Sequence, residues 1–104
     1  METEIVDNRL ALMVADLIRS NMNQLKEQYN VSSLALFGSY VRGEQTPESD
    51  VDMLVEFSQP ITFFKFIDLE EKLSTILGRK VDLVSKNGMK PRIYEHVKRS
   101  LLYI

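Results

Sequence analysis

The sequence contains no cysteine and no tryptophan, and only four glycines and three prolines among its 104 residues. The absence of cysteine excludes disulfide bonds and thiolate metal sites, and it is compatible with a reducing cytoplasm. No apolar run reaches the roughly 20 residues that span a bilayer, and the acidic start at residues 1 to 4 is unlike a signal peptide. We therefore expect a soluble, cytoplasmic protein without a membrane segment.

A strong charge of either sign is also absent. The formal net charge is -2, so the chain lacks the basic field of a protein that binds nucleic acid through its phosphates, and we expect no direct nucleic acid binding. The length suits one hydrophobic core but not a catalytic domain with a separate substrate-recognition domain. We expect a single domain over residues 1–104, with a helical segment at 1–30 and a core at 31–104.

Hydrophobic periodicity predicts the order helix, strand, turn, strand, helix, strand, helix. Apolar residues at helical spacing predict one helix from residue 5 to about 29. Because Ser20-Asn21 interrupts this spacing, two helices with a break near residue 21 are the alternative. Further helices are expected to end at Gly78 and to begin at Pro91. The remaining elements are strands at 31–37, 50–57 and 80–84 and a short helix at 39–44. This order predicts an α/β (α+β) fold with a small mixed sheet of about three strands flanked by helices.

The periodic stripes also predict the core. Phe63 and Phe66, on the helix that follows Pro60, are expected to pack against the sheet, and a nucleotide-stacking role for Phe63, Phe64 or Phe66 is the less favoured alternative. Met13 and Met53 are expected to fill space in the core. Because successive strand residues point to opposite faces, Val51 and Val55 are expected to face the core together with Met53.

The most specific functional signal is a Gly-Ser pair followed after a ten-residue gap by Asp-x-Asp in an apolar run. Gly38-Ser39 follows the first strand, where a turn offers backbone N–H groups and a hydroxyl to a phosphate. Asp50 and Asp52 lie two residues apart and project from one face of the second strand. Two adjacent carboxylates repel each other unless a cation lies between them, and oxygen ligands suit Mg²⁺ or Mn²⁺.

Two further residues are candidates for the same site. Asp82 is an isolated polar position in the apolar stretch at 80–84, and it joins Asp50 and Asp52 if that strand lies beside theirs. Arg42 follows the Gly-Ser pair by one helical turn, where a cation would steady a triphosphate. A solvated carboxylate and a solvated surface arginine are the alternative interpretations.

This pattern resembles the nucleotidyltransferase fold shared with DNA polymerase beta, and specifically its MNT-type minimal members. The matching residues are Gly38-Ser39, Asp50-x-Asp52 and Asp82, and the resemblance covers about residues 31 to 104. It implies that the Gly-Ser turn holds a nucleoside triphosphate and that the three acids bind two divalent metal ions. Mg²⁺ is the expected metal, with Mn²⁺ as an alternative.

The resemblance also implies an activity. The family includes antitoxins of HEPN/MNT toxin-antitoxin modules, some of which transfer AMP from ATP to a tyrosine of the HEPN toxin, and a protein adenylyltransferase of this kind is the first expectation. Asp50 and Asp52 would then bridge both ions, Asp82 would hold the ion nearer the nucleophile, and Ser39 would contact the outgoing pyrophosphate. One alternative is a non-catalytic antitoxin that masks a HEPN ribonuclease. Another is a small-molecule nucleotidyltransferase, which is less favoured because we expect no separate substrate domain.

Apolar residues near both ends predict that the protein works in a complex. A domain of this size has a limited core in which to bury them. We expect a HEPN-type helical partner, or a second copy of the chain, at these surfaces. The alternative is that the terminal residues cover the back of the sheet: Leu101, Leu102, Tyr103 and Ile104.

Overall fold

The computed structural model describes residues 9–104. In chain order the elements are α1 (Arg9–Arg19), α2 (Met22–Tyr29), β1 (Val31–Phe37), α3 (Ser39–Arg42), β2 (Val51–Phe57), α4 (Phe63–Leu77), β3 (Val81–Ser85), α5 (Pro91–Val97) and β4 (Leu102–Tyr103). Short 3-10 turns lie at Lys86–Gly88 and Lys98–Ser100. No helix among these residues is long and apolar enough to cross a membrane.

The strands form one mixed sheet in the order β3-β2-β1-β4. β1 pairs antiparallel with β2 and β4, whereas β2 pairs parallel with β3. The predicted α+β class is confirmed, and β4 is a fourth strand where about three were expected. β4 has only two residues, too few for an alternating pattern to be recognised in the sequence.

One face of the sheet carries the hydrophobic core. Val51, Met53 and Val55 are fully buried, as predicted, and they belong to a cluster that includes residues of α1, α2 and α4. Leu102 and Ile104 pack against this cluster from the end of the chain. The alternative in which terminal residues cover the sheet therefore holds for these two side chains, whereas Tyr103 between them is 53% exposed.

The first helical segment is divided into two helices, so the prediction of one continuous helix is wrong and its alternative is correct. α1 ends before Ser20 and α2 begins after Asn21. The Ser20 hydroxyl donates to the Asp16 carbonyl at 3.0 Å, and Asn21 Nδ2 donates to the Leu17 carbonyl at 2.9 Å. These side chains occupy carbonyl groups of the last turn, which favours a helix end. The predicted start at residue 5 lies outside the described residues.

Two predictions for the core are wrong. Phe63 is 72% exposed and Met13 is 60% exposed, whereas Phe66 is partly buried and contacts Phe57 with ring centroids 6.2 Å apart. Helical spacing identified the apolar residues of each helix but not how far the core extends along or around it. On α1 three apolar side chains form an exposed row, which we call the α1 stripe: Leu10, Met13 and Leu17, exposed by 38%, 60% and 48%.

The ends of the other helices follow the sequence signals. Thr62 caps α4 by accepting a hydrogen bond from the Lys65 N–H, and Gly78 ends this helix in the left-handed conformation. Pro91 is the first residue of α5. Each signal acts through the backbone: the cap satisfies a free N–H, glycine tolerates positive φ, and proline lacks an N–H that the first turn does not need.

The two methionines predicted as core residues give a matched test of this packing. Replacing the buried Met53 by alanine should lower the free energy of unfolding by about 2–5 kcal/mol, because it leaves a cavity. The same change at Met13 should alter it by no more than about 0.5 kcal/mol, because this side chain lies at the surface. Urea denaturation of the two variants measures the difference. Similar losses at both positions would contradict the exposure of the α1 stripe.

Candidate active site

Strand register brings the predicted site residues to one end of the sheet. Asp52 of β2 lies opposite Phe37, the last residue of β1, and also pairs with Asp82 of β3. Gly38-Ser39 follows Phe37 directly, so the Gly-Ser turn lies at the row that holds the two carboxylates. Paired residues of neighbouring strands share a face. The side chains of Asp52 and Asp82 therefore project from the same face, opposite the one that carries Met53.

Gly38 is packed against Asp52 in a conformation that requires glycine. Its φ is 77° and its ψ is -148°, a region that side chains with a Cβ rarely adopt. A Cβ built at Gly38 would clash with Asp52 Oδ2 and would lie 3.2 Å from its Cγ. The absence of a side chain at residue 38 thus lets the turn approach the carboxylate directly.

Ser39 is the first residue of the four-residue helix α3. The Arg42 N–H donates to the Gly38 carbonyl at 3.2 Å, and the Glu44 N–H donates to the Ser39 carbonyl at 2.9 Å. The helix is shorter than the predicted 39–44 because Gly43 adopts the left-handed conformation, with a φ of 70°. Helices leave their first N–H groups without intrahelical partners, and these groups accompany the Ser39 hydroxyl near the carboxylates.

Asp50 immediately precedes β2, which begins one residue later than predicted. The Val51 N–H donates to the Lys80 carbonyl at 2.9 Å and fixes the start of the strand. Asp50 Oδ2 lies 3.8 Å from Lys80 Nζ. Both side chains are well exposed, so this ion pair contributes little to stability and leaves the carboxylate accessible.

The carboxylate of Asp52 is affected by burial and by its charged neighbours. The pKa of Asp52 is raised above its ordinary value, first by burial and then by repulsion from Asp82 and Asp50. Arg42 opposes this shift because its positive charge favours the ionised form of Asp52. A cation beside these groups would relieve the repulsion.

Arg42 lies near the site but is already paired. Its Nε donates to Glu44 Oε1, and both side chains are more than half exposed. Its influence on the pKa of Asp52 places the guanidinium within electrostatic reach of the carboxylates. A role in holding phosphate remains a prediction.

The donor set suits Mg²⁺ or Mn²⁺, since it consists of carboxylate oxygens. With the side chains as placed, no three or more His, Cys, Asp or Glu groups within residues 9–104 are arranged to hold a metal ion. Binding would therefore require rotation of the Asp50, Asp52 or Asp82 carboxylates about their side-chain torsions. Asp82 is exposed and Asp50 is partly exposed, which leaves room for this adjustment.

The sequence did not predict two residues of α4 that bind the backbone of β3 beside Asp82. Glu70 and Ser74 of α4 accept hydrogen bonds from the N–H groups of Leu83 and Val81, on either side of Asp82. Each polar residue lies next to a buried leucine, Leu69 or Leu73, in a helix that was predicted from its apolar stripe. The signal was the four-residue spacing of two polar side chains beside that stripe.

Residues 18–104 match the model of the nucleotidyltransferase domain. The chain therefore belongs to the nucleotidyltransferase domain family. The predicted resemblance to the minimal, MNT-type members and the assignment as a nucleotidyltransferase enzyme are confirmed by this match together with the relatives below.

Two relatives illustrate the similarity in sequence. The chain is 47% identical over 92 residues to a candidate protein adenylyltransferase of Methanocaldococcus jannaschii, covering 88% of this chain and 94% of the relative. It is 41% identical over 91 residues to the protein adenylyltransferase MntA of Thermococcus cleftensis, covering 88% and 92%. These alignments extend over most of both chains.

Solved structures show the same fold. A candidate minimal nucleotidyltransferase superposes with a TM-score of 0.71 at 29% identity, covering 97% of this chain and 98% of that one. A chain of the complex between a tri-AMPylated HEPN toxin of Shewanella oneidensis and an MNT antitoxin superposes with a TM-score of 0.56 at 22% identity, covering 92% and 67%. The four-strand sheet flanked by helices is therefore the fold of minimal nucleotidyltransferases.

The raised pKa of Asp52 predicts a specific pH dependence of stability. The folded protein holds the Asp52 proton at pH values above the unfolded pKa, near 3.8, so this group lowers the free energy of unfolding as the pH rises through its folded pKa. In EDTA, Asp52→Asn should therefore be more stable than the wild type at pH 7, and the gain should vanish below about pH 3.8. Urea denaturation across this range measures it.

Glu71→Gln, an exposed change on α4, controls for the loss of one negative charge in this comparison. A gain of Asp52→Asn that grows as the pH falls would contradict the direction of the pKa shift.

Gly38→Ala tests the contact between the turn and Asp52. The added Cβ must both adopt a positive φ and displace the carboxylate, so we expect a loss of about 1–3 kcal/mol in the free energy of unfolding. Ser39→Ala, at the next position, should leave stability within about 0.5 kcal/mol. Thermal and urea denaturation of both variants measure the difference. Equal stability of Gly38→Ala and the wild type would exclude the close approach at residue 38.

Proposed function

We propose that this protein is a metal-dependent adenylyltransferase that transfers AMP from ATP to a tyrosine hydroxyl of a HEPN-type toxin, and thereby acts as the antitoxin. The observation that carries the proposal is the row formed by Phe37, Asp52 and Asp82 with Gly38-Ser39 beside it. A phosphate-binding turn and a carboxylate pair at one end of a sheet are the parts that nucleotidyl transfer needs.

The residues of the site divide the chemistry between them. Asp50, Asp52 and Asp82 would hold two Mg²⁺ ions, with Mn²⁺ as an alternative. Bound divalent ions lower the pKa of an attacking hydroxyl and neutralise charge on the triphosphate. Ser39 and the N–H groups of the turn would bind phosphate oxygens and stabilise the outgoing pyrophosphate.

The acceptor hydroxyl would approach the end of the sheet where the Asp82 side chain is exposed. It attacks the α-phosphorus of ATP, the bond from that phosphorus to the bridging oxygen of pyrophosphate breaks, and a carboxylate of the site accepts the hydroxyl proton. Asp82 suits this last role because its side chain is exposed. Arg42 would exchange Glu44 for a phosphate oxygen, since a charged guanidinium binds phosphate well.

Two lines of similarity support a protein acceptor. A relative aligned over 88% of this chain carries the name protein adenylyltransferase MntA. A structural neighbour contains a HEPN toxin modified by AMP together with an MNT antitoxin. A partner protein would hold the acceptor hydroxyl in place for the transfer.

A second candidate function is masking of the toxin by contact without catalysis. The observation that favours it is the α1 stripe, an exposed apolar row that no described residue covers. Exposed apolar rows on small proteins commonly mark protein interfaces. Both functions need a complex, so only a measurement of transfer separates them.

The decisive experiment is a transfer assay with the purified protein, labelled ATP, Mg²⁺ and a HEPN-type protein encoded beside it. We expect label and an added AMP mass on a tyrosine of the partner. The double variant Asp50→Asn/Asp52→Asn should lose transfer by about a thousandfold or more, because the metal ions supply several kcal/mol of transition-state stabilisation. Glu48→Gln, an exposed change in the preceding loop, is the control for charge.

Undiminished transfer by the double variant would refute the metal site. Neutralisation of the toxin by that variant, in the absence of any transfer by the wild type, would instead establish masking.

The α1 stripe predicts the effect of a charge at the partner interface. Met13→Glu should weaken association with the HEPN-type partner by about tenfold or more, because a carboxylate would be buried against apolar surface. Gln24→Glu, on the exposed side of α2, should leave association unchanged. Size-exclusion chromatography with light scattering measures complex formation. Equal association of both variants would place the interface elsewhere.

A further inference from the structure

The outer edge of β3 is closed by two side chains of α4. β3 is an edge strand of the sheet, and edge strands carry backbone N–H groups without a partner strand. The Leu83 N–H donates to Glu70 Oε2 at 2.9 Å, and the Val81 N–H donates to Ser74 Oγ at 3.0 Å. The helix thus supplies the acceptors that a neighbouring strand would otherwise provide.

Asp82 lies between the two capped residues. Backbone groups of successive strand residues point to opposite edges. The N–H groups of Val81 and Leu83 therefore point away from β2, whereas Asp82 pairs with Asp52 on β2. The segment that carries the Asp82 carboxylate is held on both edges, by β2 on the inner side and by α4 on the outer side.

The two caps are connected to each other. The Ser74 hydroxyl donates to the Glu70 carbonyl at 2.9 Å while it accepts from the Val81 N–H. This bond fixes the direction of the hydroxyl, so that a lone pair of Oγ faces the strand. Glu70 and Ser74 are one helical turn apart, and both contacts are partly buried, which limits competition from water.

We propose that Glu70 and Ser74 are positioning residues for Asp82. They hold the backbone on either side of the carboxylate in the register from which Asp82 reaches the divalent ion of the transfer reaction. The inference rests on the proposed function for the role of Asp82, and on the observed hydrogen bonds for the rest. Loss of either cap should loosen β3 locally and weaken metal binding while the core remains folded.

The first test measures the caps in the metal-free protein. Amide hydrogen exchange followed by NMR should become about tenfold faster at Val81 in Ser74→Ala and at Leu83 in Glu70→Leu, because each change removes one acceptor. Glu70→Gln should retain protection, since its carboxamide oxygen still accepts. Thr75→Ala and Glu71→Leu are matched controls at the exposed neighbouring positions, and should leave both amides protected.

The second test measures metal use. The Mg²⁺ concentration needed for half-maximal binding of AMP-PNP, determined by calorimetry, should rise about three- to tenfold in Ser74→Ala and Glu70→Leu and remain at the wild-type value in Glu70→Gln. Tyr29→Phe controls for a general loss of stability, because its hydroxyl donates to Asp68 Oδ2 at 2.9 Å on another part of α4.

The outcomes separate this inference from the function on which it rests. An unchanged Mg²⁺ requirement in variants whose β3 amides exchange fast would overturn the positioning role, as would an equal rise in Tyr29→Phe. Unaltered exchange at Val81 and Leu83 would overturn the caps themselves. A wild-type protein that binds no Mg²⁺ and nucleotide would overturn the proposed function, whatever the exchange rates show.

Discussion

Backbone hydrogen bonds between β1, β2 and β3 place Phe37, Asp52 and Asp82 in one row across the sheet. A slip of one residue along β2 would turn Asp52 into the core and Met53 toward solvent. Met53 is fully buried together with its neighbours at alternate positions, so hydrophobic burial opposes such a slip. The same core that stabilises the fold therefore also directs the side chains of Asp52 and Asp82 to the opposite face of the sheet.

The crowding at this end of the sheet is unfavourable for the folded state and useful for binding a cation. Asp52 is partly buried, faces two other carboxylates, and lies against a glycine with a positive φ. Each of these features opposes ionisation or favours other backbone conformations. A cation beside these carboxylates would relieve their repulsion, and such unfavourable crowding is typical of functional sites rather than of structural ones.

Much of the fold and of the site could be predicted from the sequence, because the informative residues act locally. Gly78 and Pro91 mark helix ends through their own backbone preferences, and the alternation around Asp52 fixes which way it points. The burial of a helix residue depends on how far the packed core extends beside it, so Phe63 and Met13 were assigned to the core incorrectly. β4 was missed because two residues carry no period. The spacing of Glu70 and Ser74 indicates that they share one side of α4, but the N–H groups of β3 that they bind depend on tertiary contacts.

The capped edge of β3 also restricts how other chains meet this sheet. Many proteins recruit an extended peptide by adding it as a strand to a free edge, and the same edges seed aggregation. Here Ser74 and Glu70 already accept from the N–H groups of Val81 and Leu83, which an incoming strand would need. An extended segment is therefore excluded from the edge beside Asp82. The acceptor of the proposed reaction would therefore reach the site through side-chain contact rather than through backbone pairing at the edge of β3.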